Sequence, residues 1–387
     1  MTDGPQTRLR YRQVRSFFLC SGFALLLACL GAGCGASVAT RKADSATGDA
    51  GGAGGAGGAE RDSDSRVGQR RRAIREASDR AFEPLLHGPI PELRLALGPE
   101  HEQQLRENPR RYVRAGLREN ASDSFPAVGL KLKGAAGSFR DFDDKPAMTI
   151  KMSRFEDSLR FHGMDKWHLN NSVQDESYLC ELVASQICRE AGIPAPRVAH
   201  ARGWLNDRDL GLYVIKEGFD EVFLARHFDQ PDGNLYDGGF LQDIDVDLEK
   251  DAGRRREERD DLQALREACV EPETDKRWER LEGVLDIEAF LRFMAFELLA
   301  CHWDGYTLAK NNYRLYFDPA DRLARFLPHG MDQTFGDPNF PIYEFPETMV
   351  AGVVMRNPVW RARYREVLQE SQPYFAPERL LPEMERM

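Results

Sequence analysis

The sequence has no Cys-x-x-Cys pair, no His-Glu-x-x-His and no Gly-x-Ser-x-Gly. These absences exclude a zinc site of paired thiolates, a helix-borne catalytic zinc and a nucleophile elbow. Basic residues are in deficit, with 53 Lys and Arg against 63 Asp and Glu. A chain this acidic has no general basic face with which to grip nucleic-acid phosphates. The longest apolar run, residues 17–30, is shorter than the roughly 20 residues that span a bilayer. No internal repeat is visible. Of the seven cysteines, Cys20, Cys29 and Cys34 lie in the N-terminal apolar segment, which leaves Cys180, Cys188, Cys269 and Cys301. Cys180 and Cys188, two helical turns apart, are too distant for a disulfide within one straight helix. The four are expected to be buried free thiols.

What is present begins with an address. Arg8, Arg10, Arg12 and Arg15 precede the apolar run, as in a secretory signal. Leu26-Leu27-Ala28-Cys29 and Gly31-Ala32-Gly33-Cys34 both resemble a bacterial lipobox, so Cys29 and Cys34 are the two candidates for lipidation. Neither is followed by Asp, which favours an outer membrane or cell-surface location in a cell with two membranes. Residues 35–80 then read as linker, first rich in Gly and Ala and then in charge.

The folded domain is expected over 81–387. A helix is expected over Pro99 to Asn108, and strands over Arg111–Ala115, Val128–Lys133, Met148–Met152 and Met164–Asn171. The glycine-rich turn Gly134-Ala135-Ala136-Gly137-Ser138 follows a strand and can bring backbone amides to a phosphate, although a plain hairpin turn has the same look. Lys151, or its rival Lys145, can place an ammonium there. Asp175 is read as the cap of a helix that carries Leu179, Leu182, Val183 and Ile187 on one face and is stopped at Gly192 and Pro194. Glu176 and Glu181 ride on it, and either can pair with a strand lysine. A hairpin around Asn206–Asp209 ends the β-rich part at Glu217. Residues 243–282 are highly charged and read as a solvated helical insertion.

Asp286 caps a further apolar helix that delivers His302-Trp303-Asp304. Asn311 and Asn312 follow, then a hairpin (312–317 and 323–327), then Met331-Asp332-Gln333-Thr334-Phe335-Gly336. An Asp, an Asn a few residues on, a hairpin and a second Asp before Phe-Gly suit phosphoryl transfer. One carboxylate orients a nucleophilic hydroxyl, while Asn and the second carboxylate give hard oxygen ligands to magnesium on nucleotide phosphates. Taken singly, each aspartate is equally a loop or turn former.

From about Val128 to Gly336 the chain resembles the CotH kinase family, named for a spore-coat protein. The segments that carry the resemblance are LKLKGAAGSFR, KPAMTIKMSRF, WHLNNSVQDESYLCELVASQICREAGIPAPR, WLNDRDLGLYVIKEGFDEVFL, DGNLYDG, HWDGYTLAKNNYRLY and DQTFG. Their order over some two hundred residues is more specific than any one motif. Two features depart from the family pattern: Lys133-Gly134-Ala135-Ala136-Gly137-Ser138 stands where Arg-Gly-Asn-Ser-Ser is usual, and the charged insertion 243–282 sits between the matched parts of the two lobes, where it would alter substrate access.

The resemblance implies an α+β, atypical protein-kinase-like fold with a small β-rich lobe over about 81–218 and a larger helical lobe over about 219–387. It implies ATP and Mg2+ (or Mn2+) between them, with Asp304 as the catalytic aspartate. Asp332 with Asn311 or Asn312 would hold the metal. Lys151 would meet the phosphates, with Lys145, Gly134, Ser138, Glu181 and Glu217 around the nucleotide. The implied function is a lipid-anchored kinase acting on Ser or Thr of exported proteins. The alternative is a surface-binding or adhesion module with a vestigial nucleotide pocket. A hydrolase built on His302 or His329 has no supporting motif.

Overall fold

The chain is α+β, and its β-rich part closes on itself. A computed structural model describes residues 72–385 apart from 74, 122, 136, 254–257 and 344–345. The segment 1–34 with Cys29 and Cys34, and the linker up to residue 71, lie outside the described residues. Among the described residues no helix is long and apolar enough to cross a membrane.

Seven strands form the barrel: β1 (Glu92–Ala96), β2 (Val113–Glu119), β3 (Asp123–Lys133), β4 (Ala147–Lys151), β5 (Lys166–Asn170), β6 (Val198–Leu205) and β7 (Arg208–Glu217). Their order is β1-β2-β3-β4-β5-β7-β6, and a parallel pairing of β1 with β6 closes the ring. The sequence implied a small β-rich lobe but gave no sign of this closure, which joins strands about a hundred residues apart. Alternation drives it. Val128, Leu130, Leu132, Met148, Ile150, Trp167, Leu169, Tyr213 and Ile215 point inward and are fully buried or nearly so. Each such side chain contributes about 1.5–3 kcal/mol by leaving water. The opposite parity puts Lys131, Thr149, His168 and Lys216 in one cross-strand row on the outer face, with Lys133 and Asn170 beside it. A helix over 75–87 packs Phe82 and Leu85 into the same barrel core. α1 (Pro99–Glu107) joins β1 to β2.

α2 (Cys180–Glu190) runs between β5 and β6. Asp175 does satisfy its N-terminus, but from five residues upstream, where Oδ2 accepts from Cys180 N at 2.9 Å. Gly192, at φ +75, ends it, with Ile193 N donating to Cys188 O at 2.8 Å. After the barrel come α3 (Glu221–His227) and a second sheet of order β11-β10-β8-β9. Its strands are β8 (Asn234–Asp237), β9 (Glu249–Ala252), β10 (Tyr313–Phe317) and β11 (Ala324–Pro328).

The stretch 243–282 is not a solvated insertion. It supplies β9, α4 (Asp260–Val270) and α5 (Thr274–Glu282). Ile244, Leu248, Leu262, Leu265 and Leu281 are fully buried in the helical core. Few apolar residues at helical spacing were enough to dock it, and the surrounding charge hid them. α6 (Ile287–Leu299) is capped by Asp286, whose Oδ1 accepts from Ala289 N at 3.0 Å. Its Phe290 packs edge-on and its Phe293 tilted against Phe326 of β11. α7 (Tyr306–Ala309) lies between α6 and β10, and α8 (Met349–Arg356), α9 (Pro358–Ser371) and α10 (Pro377–Met384) close the chain. Cys180, Cys188, Cys269 and Cys301 are free and buried, as expected.

Candidate functional site

α6 ends at a turn in which Cys301 takes a left-handed conformation, φ +55, and the chain emerges at Asp304. The Asp304 carboxylate is gripped from one side. Asn311 Nδ2 donates to Oδ1 at 3.0 Å and Asn312 Nδ2 to Oδ2 at 2.8 Å. Lys310 and Asn312, at φ +55 and +51, bend the backbone back so that both amides reach it. Each Asn spends its NH2 on Asp304, which leaves its own carbonyl oxygen for another partner.

Asp332 lies on a short 3-10 turn, Met331–Gln333, that follows β11. Three bonds dock this turn on the Asp304 segment. His302 Nε2 meets Gly330 O at 3.1 Å, His329 N donates to Asn312 O at 2.9 Å, and Phe335 N donates to Ala300 O at 2.7 Å. A side chain at Gly330 would put Cβ 2.2 Å from Asn312 Oδ1, so the close approach needs glycine. Among the described residues no side chain hydrogen-bonds the Asp332 carboxylate. Burial, then repulsion from Glu181, pushes it up to about 6, against the pull of Lys216 and Lys133.

The outer face of the barrel supplies the opposite charge. Lys216 Nζ pairs with Glu181 Oε1 and lies 3.2 Å from His329 Nδ1. Lys133 Nζ donates to Asn170 Oδ1 at 2.7 Å, and Asn170 Nδ2 donates to Glu181 Oε2 at 2.6 Å. Burial, then repulsion from Lys216, brings Lys133 down to about 8. Burial raises the Glu181 carboxyl, and the lysines, Lys216 foremost, more than reverse that. The helix glutamate expected from the sequence is therefore Glu181, and its partners are Lys216 on β7 and, through Asn170, Lys133 on β3. Sequence reasoning missed Lys216, Asn170 and His329 as members of this cluster, and noted Lys133 only as a departure from the family pattern. The available signal was parity, since Lys133, Asn170 and Lys216 all fall on the outward positions of strands with apolar inner faces.

The other expected residues lie elsewhere. Lys151 pairs with Asp165 at 2.6 Å and lines a separate cleft of about 800 Å3 with Tyr112, Arg154, Lys166, Phe219 and Asp251. Lys145 donates to Tyr178 OH at 2.9 Å and Leu212 O at 2.7 Å. Glu217 is buried and divided between Arg197 at 2.8 Å and Arg226 at 2.5 Å. Gly134, at φ +111, and Ser138 form a turn closed on itself, with Ala135 N donating to Ser138 Oγ at 3.0 Å. That turn directly follows Lys133.

Among the described residues no three His, Cys, Asp or Glu side chains converge on a metal position. The oxygen donors that the two docked segments carry are the Asp332 carboxylate, which has no side-chain hydrogen bond among the described residues, and the amide oxygens of Asn311 and Asn312, whose NH2 groups are spent on Asp304. This all-oxygen set fits a hard divalent cation, whose charge would relieve the repulsion between Asp332 and Glu181.

The protein is thus of a class in which a closed barrel and a helical region bring two aspartate segments up to a buried Lys–Glu pair. A family model described as CotH kinase protein matches residues 130–387, and the chain belongs to that family. It is 24% identical over 235 residues to Invasin CotH7 of Rhizopus delemar, covering 52% of this chain and 38% of that protein. It is also 24% identical over 196 residues to inner spore coat protein H of Bacillus subtilis, covering 46% of this chain and 51% of that protein. Invasin CotH2 of Rhizopus delemar is 35% identical over 106 residues, 23% of this chain and 18% of its own length. The chain therefore spans about half or less of the length of these relatives. The helix over 75–87, β1 and β2 precede the matched region.

Proposed function

We propose that this protein is an exported atypical kinase that transfers the γ-phosphoryl group of ATP to Ser or Thr of secreted or surface proteins. The observation that carries the reading is the Asp304 carboxylate, aimed by two asparagine amides, on a segment whose His302 docks on the Asp332 turn. In this reading the barrel is the small lobe of a kinase-like fold, and the helices with the second sheet are the large one. The nucleotide phosphates face Lys133 and Lys216, and the acceptor hydroxyl hydrogen-bonds Asp304. The hydroxyl oxygen forms its bond to the γ-phosphorus as the bond from phosphorus to the β,γ-bridging oxygen breaks, and ADP carries away the electron pair. Asp304 takes the hydroxyl proton and returns it to solvent. Asp332 and Asn311, with Asn312 beside them, hold Mg2+ or Mn2+. When bound, the ion neutralises charge on the phosphates.

The names of the relatives, a spore coat protein and invasins, support an extracytoplasmic place for this chain. A lipid on Cys29 or Cys34 would tether it to a membrane through the linker. The name invasin also favours a second reading, a surface-binding module with an inactive pocket.

The test is label transfer from ATP by the full chain with Mg2+ or Mn2+, to itself and to a mixture of exported proteins, beside Asp304→Ala and Asp332→Ala. The kinase reading expects transfer lost in both variants. Absence of both transfer and nucleotide binding in the wild type overturns it. Binding without transfer under every acceptor tried selects the second reading.

A further inference from the structure

Glu297 is a carboxylate buried in the apolar face of α6, with no solvent exposure. Its Oε1 accepts from Tyr306 N at 3.0 Å and its Oε2 from Thr307 N at 2.8 Å. These are the first two amides of α7, whose own cap residue, Gly305, has no side chain to offer. The segment that begins at Asp304 is thus tied down by a carboxylate from the preceding helix. Gly305 has to be glycine, because a Cβ there would lie 2.4 Å from Glu297 Oε1 and 2.9 Å from His302 Nδ1.

His302 completes the arrangement. Its side chain is fully buried, and its Nε2 lies 3.1 Å from the carbonyl oxygen of Gly330, two residues before Asp332. A carbonyl can only accept, so Nε2 carries a proton. In a neutral ring Nδ1 is then a bare lone pair. It has no hydrogen-bond partner, and the polar atom facing it is Glu297 Oε1 at 3.6 Å, itself an acceptor when ionised. Two lone pairs facing each other in a dry interior repel. A single proton between them replaces the repulsion with attraction, and no other donor among the described residues reaches Nδ1.

We propose that Glu297 and His302 are positioning residues that share one proton between Oε1 and Nδ1 and so hold the Asp304 and Asp332 segments in fixed mutual register. The chain of contacts is continuous. Tyr306 and Thr307 amides hold to Glu297, Glu297 to His302, and His302 to the carbonyl that enters the Asp332 turn. Burial supports the same placement of the proton, since it pushes the Glu297 carboxyl up to about 7 and the His302 imidazole down to about 4. The proton rests mainly on Glu297, which donates it to Nδ1. The pair touches neither acceptor nor nucleotide in this arrangement and acts through the two aspartates.

The test uses the full chain and two independent readouts. In Glu297→Leu, amide hydrogen exchange rises in both the 304–309 and the 330–333 segments. Glu297→Gln keeps a donor for Nδ1 and an acceptor for one amide, and it restores most of the protection. His302→Leu gives the same two-segment pattern, and it serves if Glu297→Leu does not fold. In phosphoryl transfer, which rests on the kinase reading, Glu297→Leu lowers kcat by about 30-fold with KM for ATP held within about twofold. The Glu297→Leu, His302→Leu double variant is no worse than either single one, as expected of residues acting as a unit. Exchange rising in one segment alone overturns the proposal, as do additive losses in the double variant or a KM that rises in step with the fall in kcat. If the wild type transfers no phosphate, the kinase reading fails and the exchange pattern still decides the positioning pair.

Discussion

Lys216 of β7 and Glu181 of α2 meet in an ion pair with no solvent around it, the lysine side chain 0% and the glutamate 2% exposed. Removing one partner of such a pair leaves a charge stranded in the interior. Lys216→Met is therefore expected to lower the unfolding free energy by about 3 kcal/mol or more. Lys133 and Asn170 still face Glu181, so the loss falls toward the lower end of what buried pairs show. Adding Glu181→Leu removes the stranded charge and should recover most of the stability, though not, in the kinase reading, phosphoryl transfer. Urea denaturation of the single and double variants measures this. A double variant as unstable as Lys216→Met would mean that packing, not charge, holds these elements together.

The pH dependence of stability follows from Asp332. Its carboxyl is raised from the usual 3.8 to about 6, chiefly by burial. Between those values the folded protein holds a proton that the unfolded chain has released. The stabilisation from this group is fully present below about pH 4 and is lost as pH rises through about 6. Asp332→Asn lacks it, so the stability difference between wild type and variant should decline across that window and stay flat above it. A bound divalent cation favours the ionised form, and saturating Mg2+ should flatten the slope. Denaturation curves from pH 3.5 to 7, with and without MgCl2, check both statements. A slope identical in wild type and Asp332→Asn would remove Asp332 from the account.

Parts of this site were readable in the sequence because they are local. Asp286 and Ala289, or Asp304 and Asn311, are separated by few residues, and cap and turn chemistry fixes their relation. Most strands were readable from alternation to within a few residues, although β1 was not assigned as a strand and β9 lay inside a stretch expected to be helical. What alternation cannot say is which outward lysine meets which acid. Lys133 and Lys151 both point out of the barrel, and only strand register sends the first toward Glu181 and the second toward Asp165. The docking of 243–282 was hidden for a different reason. Its anchors, Leu262, Leu265 and Leu281, are sparse, and a few buried leucines outweigh many charges that stay in water.

Glu217 illustrates how a residue at the right place in the chain can have a structural task. Its carboxylate accepts from Arg197 N and Arg197 Nη2 and from Arg226 Nη1. Both guanidiniums also reach Asp79 of the 75–87 helix, at 3.4 and 3.1 Å. The network joins that helix to the last residue of β7 and to α3. Glu217→Ala strands two buried arginines and is expected to cost about 3–5 kcal/mol. Asp79→Ala, at a half-exposed carboxylate, should cost clearly less. Calorimetric ATP affinity of whatever Glu217→Ala remains folded should match the wild type. An affinity loss without a stability loss would return Glu217 to the nucleotide site.

In the proposed kinase, Lys133 and Lys151 offer the sharpest choice between two places for the phosphates. Lys133 sits beside Glu181 and the Asp332 turn, and its ammonium is partly discharged by burial and by Lys216. A phosphate arriving there would meet a cation short of counter-charge, and the bond would be strong because the site is dry. Lys151 is already neutralised by Asp165, which also accepts from Ser153 N at 2.9 Å and Ser153 Oγ at 2.9 Å. A ligand would have to compete with that carboxylate. Lys133→Met is therefore expected to weaken Mg·ATP binding by at least about tenfold, the loss of one charge-assisted hydrogen bond. Lys151→Met should leave the affinity within about threefold. Titration calorimetry on the two variants separates the cases, because neither substitution disturbs the barrel core. If Lys151→Met proves the damaging change, the phosphates lie in the cleft lined by Tyr112, Arg154 and Asp251, and the buried Lys–Glu cluster is a strut between barrel and helix.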